Sequence, residues 1–191
     1  VTLTGAGINN NSTSNAGYEN FTAIAGNVTA GQTYAFSASA ATTFADDQVF
    51  VWIDCNQDGD FDDAGELVFT SAAQVSPWAG NISIPLTANA GTTKMRVRLH
   101  DSVNGGNSTP CGGSFYGQVE DYTLNIAAPP ACSGTPNPGN TLTTQNNVCS
   151  STSFTLSLQN NPGVSGLTYQ WQSVADFAFT TPVNLGTAIT Q

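Results

Sequence analysis

The sequence predicts an all-β protein, on three observations. Charged residues make up 8% of the 191-residue chain, about a third of the share usual in soluble domains. Asn, Ser, Thr, Gln and Gly take their place, so turn-formers and β-branched residues dominate. No window sustains a helical period, whereas several short runs alternate apolar with polar residues. The length suits one large or two small domains.

Taken in order, "GQTYAFSASA" sets Tyr34 and Phe36 between small polar residues, the pattern of a half-buried strand. "DQVFVWID" is more continuously apolar, with Val49, Val51 and Ile53 on one face and Phe50 and Trp52 on the other. "ELVFTS", "NISIPL", "TKMRVRLH" and "EDYTLNI" follow at turn-separated intervals. Strands spaced in this way predict a jelly-roll-like β-sandwich over residues 1–127. The run "AAPPACSGTPNPGN", with Pro129, Pro130, Pro136 and Pro138, then predicts a stiff extended linker over 128–140. Beyond it, "SFTLSLQ" and "LTYQWQS" alternate as strands, and Tyr169-x-Trp171 is placed like the buried-Trp strand of an immunoglobulin-like sandwich. Residues 141–191 are few for that fold, so a truncated immunoglobulin-like domain is expected, as in a segment of a longer parent chain.

The formal charge is −10, and Lys94, Arg96 and Arg98 are the only cations besides the single His100. Such a surface repels phosphate backbones and anionic lipid, which argues against nucleic acid and ordinary membranes as partners. No apolar run is long enough to span a bilayer, so no membrane insertion is expected. A charged n-region with an apolar h-region is also missing at the start, so a signal peptide is not expected within this segment.

Six of the thirteen carboxylates fall in "DCNQDGDFDDAGE", residues 54–66. Aligned on an EF-hand loop, Asp54, Asn56 and Asp58 take positions 1, 3 and 5, and Gly59 takes the sharp turn at 6. Asp60 and Asp62 follow at 7 and 9. Hard oxygen ligands two residues apart can converge on one cation, so Asp54, Asn56, Asp58, Asp60, Asp62 and Glu66 are the expected ligands. The register departs at position 12, which is Gly65, with Glu66 one residue late. Strands flank the loop, so it reads as an EF-hand-like loop inside a β-hairpin. The plain alternative is a solvated acidic turn, in which six like charges would lower stability without a counter-ion. Ca²⁺ is the expected ion, because Mg²⁺ dehydrates reluctantly and takes fewer protein ligands.

The four cysteines, Cys55, Cys111, Cys132 and Cys149, include no C-x-x-C pair and have no His cluster beside them, which argues against zinc. An even count in such a chain points to two disulfides in an oxidising compartment. Of three possible pairings, Cys55–Cys111 and Cys132–Cys149 are preferred, since the domain boundary separates the pairs. The second would close a short loop worth roughly 3 kcal/mol.

Four motifs in order, "VFVWIDCNQDGDFDDAGE", "MRVRLHD", "PCGG" and "YGQVEDYTLNI", resemble the GEVED domain. The resemblance covers roughly residues 1–127. It implies a non-catalytic β-sandwich module of large secreted or cell-surface proteins, often exported by type IX secretion. The second segment resembles the immunoglobulin-like repeats that follow such domains. Where the family commonly has an aromatic residue after Asp54, this chain has Cys55, which supports pairing with Cys111. The first acid of the family signature is Gln118 here, so no metal role carries over to it. Glu120 and Asp121 match the signature and could support the calcium loop or a second ion, with pairing to an arginine as the alternative. "DSV" at 101–103 matches a short O-glycosylation motif of that lineage, which makes Ser102 a candidate.

Lys94, Arg96 and Arg98 alternate, so all three project from one strand face, opposite Met95, Val97 and Leu99. The stripe could contact an anionic polymer, or form a cross-strand ladder with acids such as Glu120. His100, Asp101 and Ser102 are consecutive and so do not form a triad on one face. Glu120 and Asp121 also face opposite ways, a poor pair for glycoside hydrolysis. No enzymatic activity is expected. Three readings of function remain: adhesion to extracellular polysaccharide or matrix protein, a structural spacer, or an accessory domain of a secreted hydrolase. Trp78 and Tyr116, in loop-like sequence, are the aromatic candidates for the first, with a place in the core as the equal alternative for either.

Overall fold

The computed structural model describes residues 1–12, 17–131, 137–144, 154–160, 166–174, 181–187 and 189–190, and every regular element among them is a strand. The chain divides into two compact units, Val1–Ala128 and Pro129–Gln191.

The first unit is a β-sandwich. Its smaller sheet runs β2 (Ile8–Asn9), β1 (Thr2–Leu3), β4 (Thr33–Ala38), β7 (Trp78–Ser83). Its larger sheet runs β3 (Tyr18–Thr29), β9 (Gly117–Ala127), β8 (Gly91–Asp101), β5 (Asp47–Ile53), β6 (Leu67–Thr70). Every pair is antiparallel except β3 and β9, which run parallel with a shift in register between Phe21 and Ala25. Alternation decides which residues meet between the sheets. Val49, Val51 and Ile53 of β5, Met95 and Val97 of β8, and Tyr122, Leu124 and Ile126 of β9 pack against Leu3, Ile8, Phe36 and Ile82 of the smaller sheet. The largest fully buried side chain is Trp78, whose Nε1–H donates to the carbonyls of Asp47 and Gln74. Trp78 is therefore core, the second of its two readings: it belongs to the apolar cluster between the sheets, and two hydrogen bonds hold its indole there.

The strands expected from sequence appear as β4 to β9, with ends moved by a few residues. Strand β3, the longest, was not expected. It is an edge strand whose exposed residues alternate with mostly half-buried ones, and its covered positions include Glu19, Thr22 and Gly26, which carry no apolar signal.

The second unit contains three two-stranded ladders among its described residues. They are β10 (Thr141–Thr143) with β11 (Leu156–Leu158), β12 (Thr168–Tyr169) with β15 (Ile189–Thr190), and β13 (Gln172–Ser173) with β14 (Val183–Asn184). Trp171 is half-buried. The expected Cys132–Cys149 bridge lies outside the described residues.

Candidate metal centre and the outer face of the larger sheet

The acidic loop joins β5 to β6, two antiparallel neighbours, so it closes a hairpin as its flanking strands require. Ile53 N–H donates to the Glu66 carbonyl at its base (2.9 Å). Within it, every second side chain accepts from the backbone two residues ahead. Asn56 Oδ1 accepts from Asp58 N–H (3.0 Å), Asp58 Oδ1 from Asp60 N–H (3.2 Å), and Asp60 Oδ1 from Asp62 N–H (3.0 Å). This succession of Asx turns follows from the period-two spacing of the acids. Gly59 and Gly65 supply the left-handed conformations where the loop reverses (φ 101° and 96°).

Asp58, Asp60 and Asp63 converge, each offering a carboxylate oxygen within 4.8 Å of the others. Asn56 Nδ2 donates to both Asp58 and Asp63 and so ties two of the three together. Those bonds, with Asp60 N–H, hold the Asp58 carboxyl below its usual range. Asp63 was missed by the EF-hand register, which assigned position 9 to its neighbour Asp62. Asp62 lies outside the cluster.

Asp54 sits beneath the loop as a brace. It is buried, with Oδ1 accepting from Gln57 N–H (2.7 Å) and Oδ2 from Gly59 N–H (3.2 Å). Glu66 is 1% exposed, and its Oε1 accepts from Cys55 N–H (2.8 Å). Its Oε2 has no hydrogen-bond partner. Burial, with the Asp54 charge as a lesser cause, pushes the Glu66 carboxyl up, against the pull of backbone N–H groups. The donors that this loop offers are all hard oxygens, the set that Ca²⁺ and Mg²⁺ take.

Glu120 and Asp121 are committed elsewhere. Arg96 Nε donates to Asp121 Oδ1 and Nη2 to Oδ2, both at 2.7 Å, a bidentate pair. Tyr18 Oη also donates to Asp121 Oδ2 (3.0 Å). Glu120 faces the other way, accepting from Ser12 Oγ (2.8 Å) and Tyr122 Oη. The ladder expected on the cationic stripe therefore uses Asp121 and not Glu120. Arg96 stands opposite Asp121, whereas Glu120 stands opposite Val97, on the core side of β8.

Lys94, Arg96 and Arg98 share the outer face of the larger sheet with Phe50 and Trp52, their cross-strand neighbours on β5. Two loops fold over this face. The acidic loop lays Phe61 on Phe50 and Trp52 and under the Arg96 guanidinium, 5.0 Å from its ring centre. The second loop, residues 102–116, turns its carbonyls inward. Arg98 Nη2 donates to Gly112 O (2.7 Å) and Pro110 O (3.4 Å), and Arg96 Nη1 to Pro110 O (3.0 Å).

The expected Cys55–Cys111 bridge does not form, and both thiols are free. Cys55 follows Ile53 by two residues and points into the core, where burial first, then Glu66 and Asp54, pushes its pKa up to about 11. Cys111 is exposed on the 102–116 loop, near Arg96 on the outer face. The sheet lies between them. His100 is buried against Phe50 with neither ring nitrogen hydrogen-bonded, while Asp101 accepts from the backbone of Val103 and Asn104. Ser102 is exposed, its Oγ donating to the Asp46 carbonyl (2.7 Å).

No curated protein and no solved structure matches this chain. The two outer-face loops and nearly all of strands β5 to β9 lie within residues 48–125, which match the GEVED domain family; the first unit of this chain thus carries a GEVED domain, generally found in extracellular proteins.

Proposed function

We propose that this chain is a calcium-stabilised, non-catalytic part of a secreted or cell-surface protein, and that it binds extracellular polysaccharide or matrix. The convergence of Asp58, Asp60 and Asp63 at the tip of a rigidly braced hairpin carries the calcium reading. Three carboxylates within 4.8 Å repel one another, and a divalent cation among them would convert that repulsion into cohesion. The unpartnered oxygen of Glu66 at the base of the same loop adds a second place where positive charge would be accepted. The non-catalytic reading rests on commitments already made: Asp121 is held by Arg96, Glu120 by Tyr122 and Ser12, and His100 is sealed beneath the loop. Binding is favoured over a mere spacer by the exposed Phe115, Tyr116 and Val103, all carried on the 102–116 loop, since a spacer gains nothing from large apolar side chains held in solvent.

Thermal melting in calcium and in EDTA tests the first half. Calcium at a hundred-fold excess over Kd should add about 2.7 kcal/mol to the native state. Asp58→Ala should melt lower in calcium and show no further change with EDTA. A wild-type melt indifferent to EDTA would remove calcium from the reading. The second half is tested by capture on insoluble polysaccharides and matrix proteins, with calcium and with EDTA. No capture under either condition would leave the spacer.

A further inference from the structure

Arg98 is a buried guanidinium without a carboxylate. It is 2% exposed, and the one ion pair among the described residues joins its neighbour Arg96 to Asp121. Both Asp121 oxygens are spent on Arg96, and one also takes the Tyr18 hydroxyl. Arg98 is left with two neutral carbonyls, at one nitrogen, and its Nε–H has no acceptor among the described residues. A charge so placed is costly unless an anion meets it. Burial and the adjacent Arg96 both work against its protonated form. In a chain with three cations against thirteen acids, leaving one of the cations unmatched inside the protein calls for a reason.

Arg98 does not face a closed interior. It lines a cavity of about 380 Å³ between the start of β3, the start of β9 and the 102–116 loop, with Tyr18, Arg96, Pro110 and Val119 among the walls. That volume is in the range of small-ligand sites and far above one water. The walls combine a half-exposed tyrosine ring with glycine backbone, at Gly17 and in the 112–117 stretch. Phe115, 87% exposed, and Tyr116 stand in the same stretch, between the lining residues Ser114 and Gly117. Aromatic faces beside open peptide groups suit a sugar ring. Because Arg96 is already neutralised, the cavity has one uncompensated positive charge, which matches a monoanion. With Nη2 on two carbonyls and Nε buried, Nη1 is left to give a carboxylate oxygen a charge-assisted hydrogen bond.

We propose that this cavity binds a carboxylate-bearing saccharide residue, a uronic acid by class, with Arg98 reading the carboxylate and Tyr18 flanking the ring. The proposal rests on the reading of this chain as a binder, and is independent of the calcium loop.

The test is a titration of the full chain, followed by calorimetry, with D-glucuronate, D-glucose and sodium sulfate, on wild type and on Arg98→Met. Saturable glucuronate binding is expected, at least about ten-fold tighter than glucose, as a charge-assisted hydrogen bond implies. Arg98→Met should lose that preference while melting no lower than wild type, since it removes an unpaired buried charge. Equal affinity for glucose, undiminished glucuronate binding by Arg98→Met, or no glucuronate binding would overturn the proposal. Sulfate binding as tight as glucuronate would reduce the cavity to a general anion site and overturn the saccharide assignment. Should polysaccharide capture persist in wild type and Arg98→Met alike, the pocket falls and the binding role stands. If no polymer or matrix protein is captured and glucuronate does not bind, both fall.

Discussion

Asp121→Asn removes one charge and leaves the side-chain shape almost unchanged, so it isolates the electrostatics of the outer face. The wild-type pair has two N–H···O contacts of 2.7 Å, between side chains 18% and 3% exposed. Breaking a buried pair by removing one partner costs roughly 3–5 kcal/mol. The residual exposure of Arg96 and the remaining carbonyl of Asn place this case at the lower end, about 3 kcal/mol. The variant also leaves Arg96 and Arg98 as two adjacent uncompensated cations, which works in the same direction. For a unit of this size the loss corresponds to a fall in Tm of roughly 10 °C. Tryptophan fluorescence, to which the buried Trp52 and Trp78 of the first unit contribute, reports it. A double-mutant cycle with Arg96→Met separates the pair from the rest. The double variant should recover most of the loss, because no charge is then stranded by its partner's removal. A loss below about 1 kcal/mol would mean that the pair behaves as an exposed one, and the argument from burial would be wrong.

Three further outcomes follow from the geometry. Gly117→Ala should destabilise by about 3 kcal/mol in urea melts, since its Cβ would lie 2.0 Å from the Leu99 carbonyl oxygen at φ 121°, where backbone meets backbone and neither can yield. Trp78→Ala should cost about 3–5 kcal/mol and broaden the unfolding transition, as the largest buried side chain leaves a void between the sheets. His100 has its pKa held below the ordinary 6.5 by burial first and Arg98 second. The unfolded chain therefore binds a proton that the folded one refuses, so this contribution to stability is present above pH 6.5 and falls as pH drops below it. His100→Leu should flatten the stability curve in that window while costing little at pH 7, because both ring nitrogens lack hydrogen bonds. An unchanged slope would remove His100 from the pH dependence.

Much of the candidate site was readable in the chain. The period-two spacing of Asn56, Asp58 and Asp60, with Gly59 at the reversal, yields the succession of Asx turns that forms the loop. The facing of β9 was misjudged: Glu120 was expected against the cationic stripe, whereas Tyr122, Leu124 and Ile126 mark the core side of the strand, which puts Glu120 with them and Asp121 outside. Asp63 was not legible, because one residue of slippage inside a loop depends on which acid Asn56 can reach. Strand β3 was missed for a different reason. Its residues carry little apolar signal of their own, and its place is set by parallel pairing to a strand nearly a hundred positions later.

By itself, then, the sequence determined the all-β class, the strands with strong alternation, the hairpin that carries the acids, and the shared face of Lys94, Arg96 and Arg98. These are local properties, set by side-chain periodicity and turn chemistry over a few residues. The tertiary structure alone decided which loops lie over that face. Packing of the 102–116 loop onto the outer side of β8 puts Cys111 across the sheet from Cys55 and ends their pairing. The same packing surrounds Arg98 with carbonyls in place of acids and forms the cavity beside it. Alternation fixes the side of a strand from which a residue projects, but what meets it there depends on chain returning from a distance, which short-range patterns do not encode.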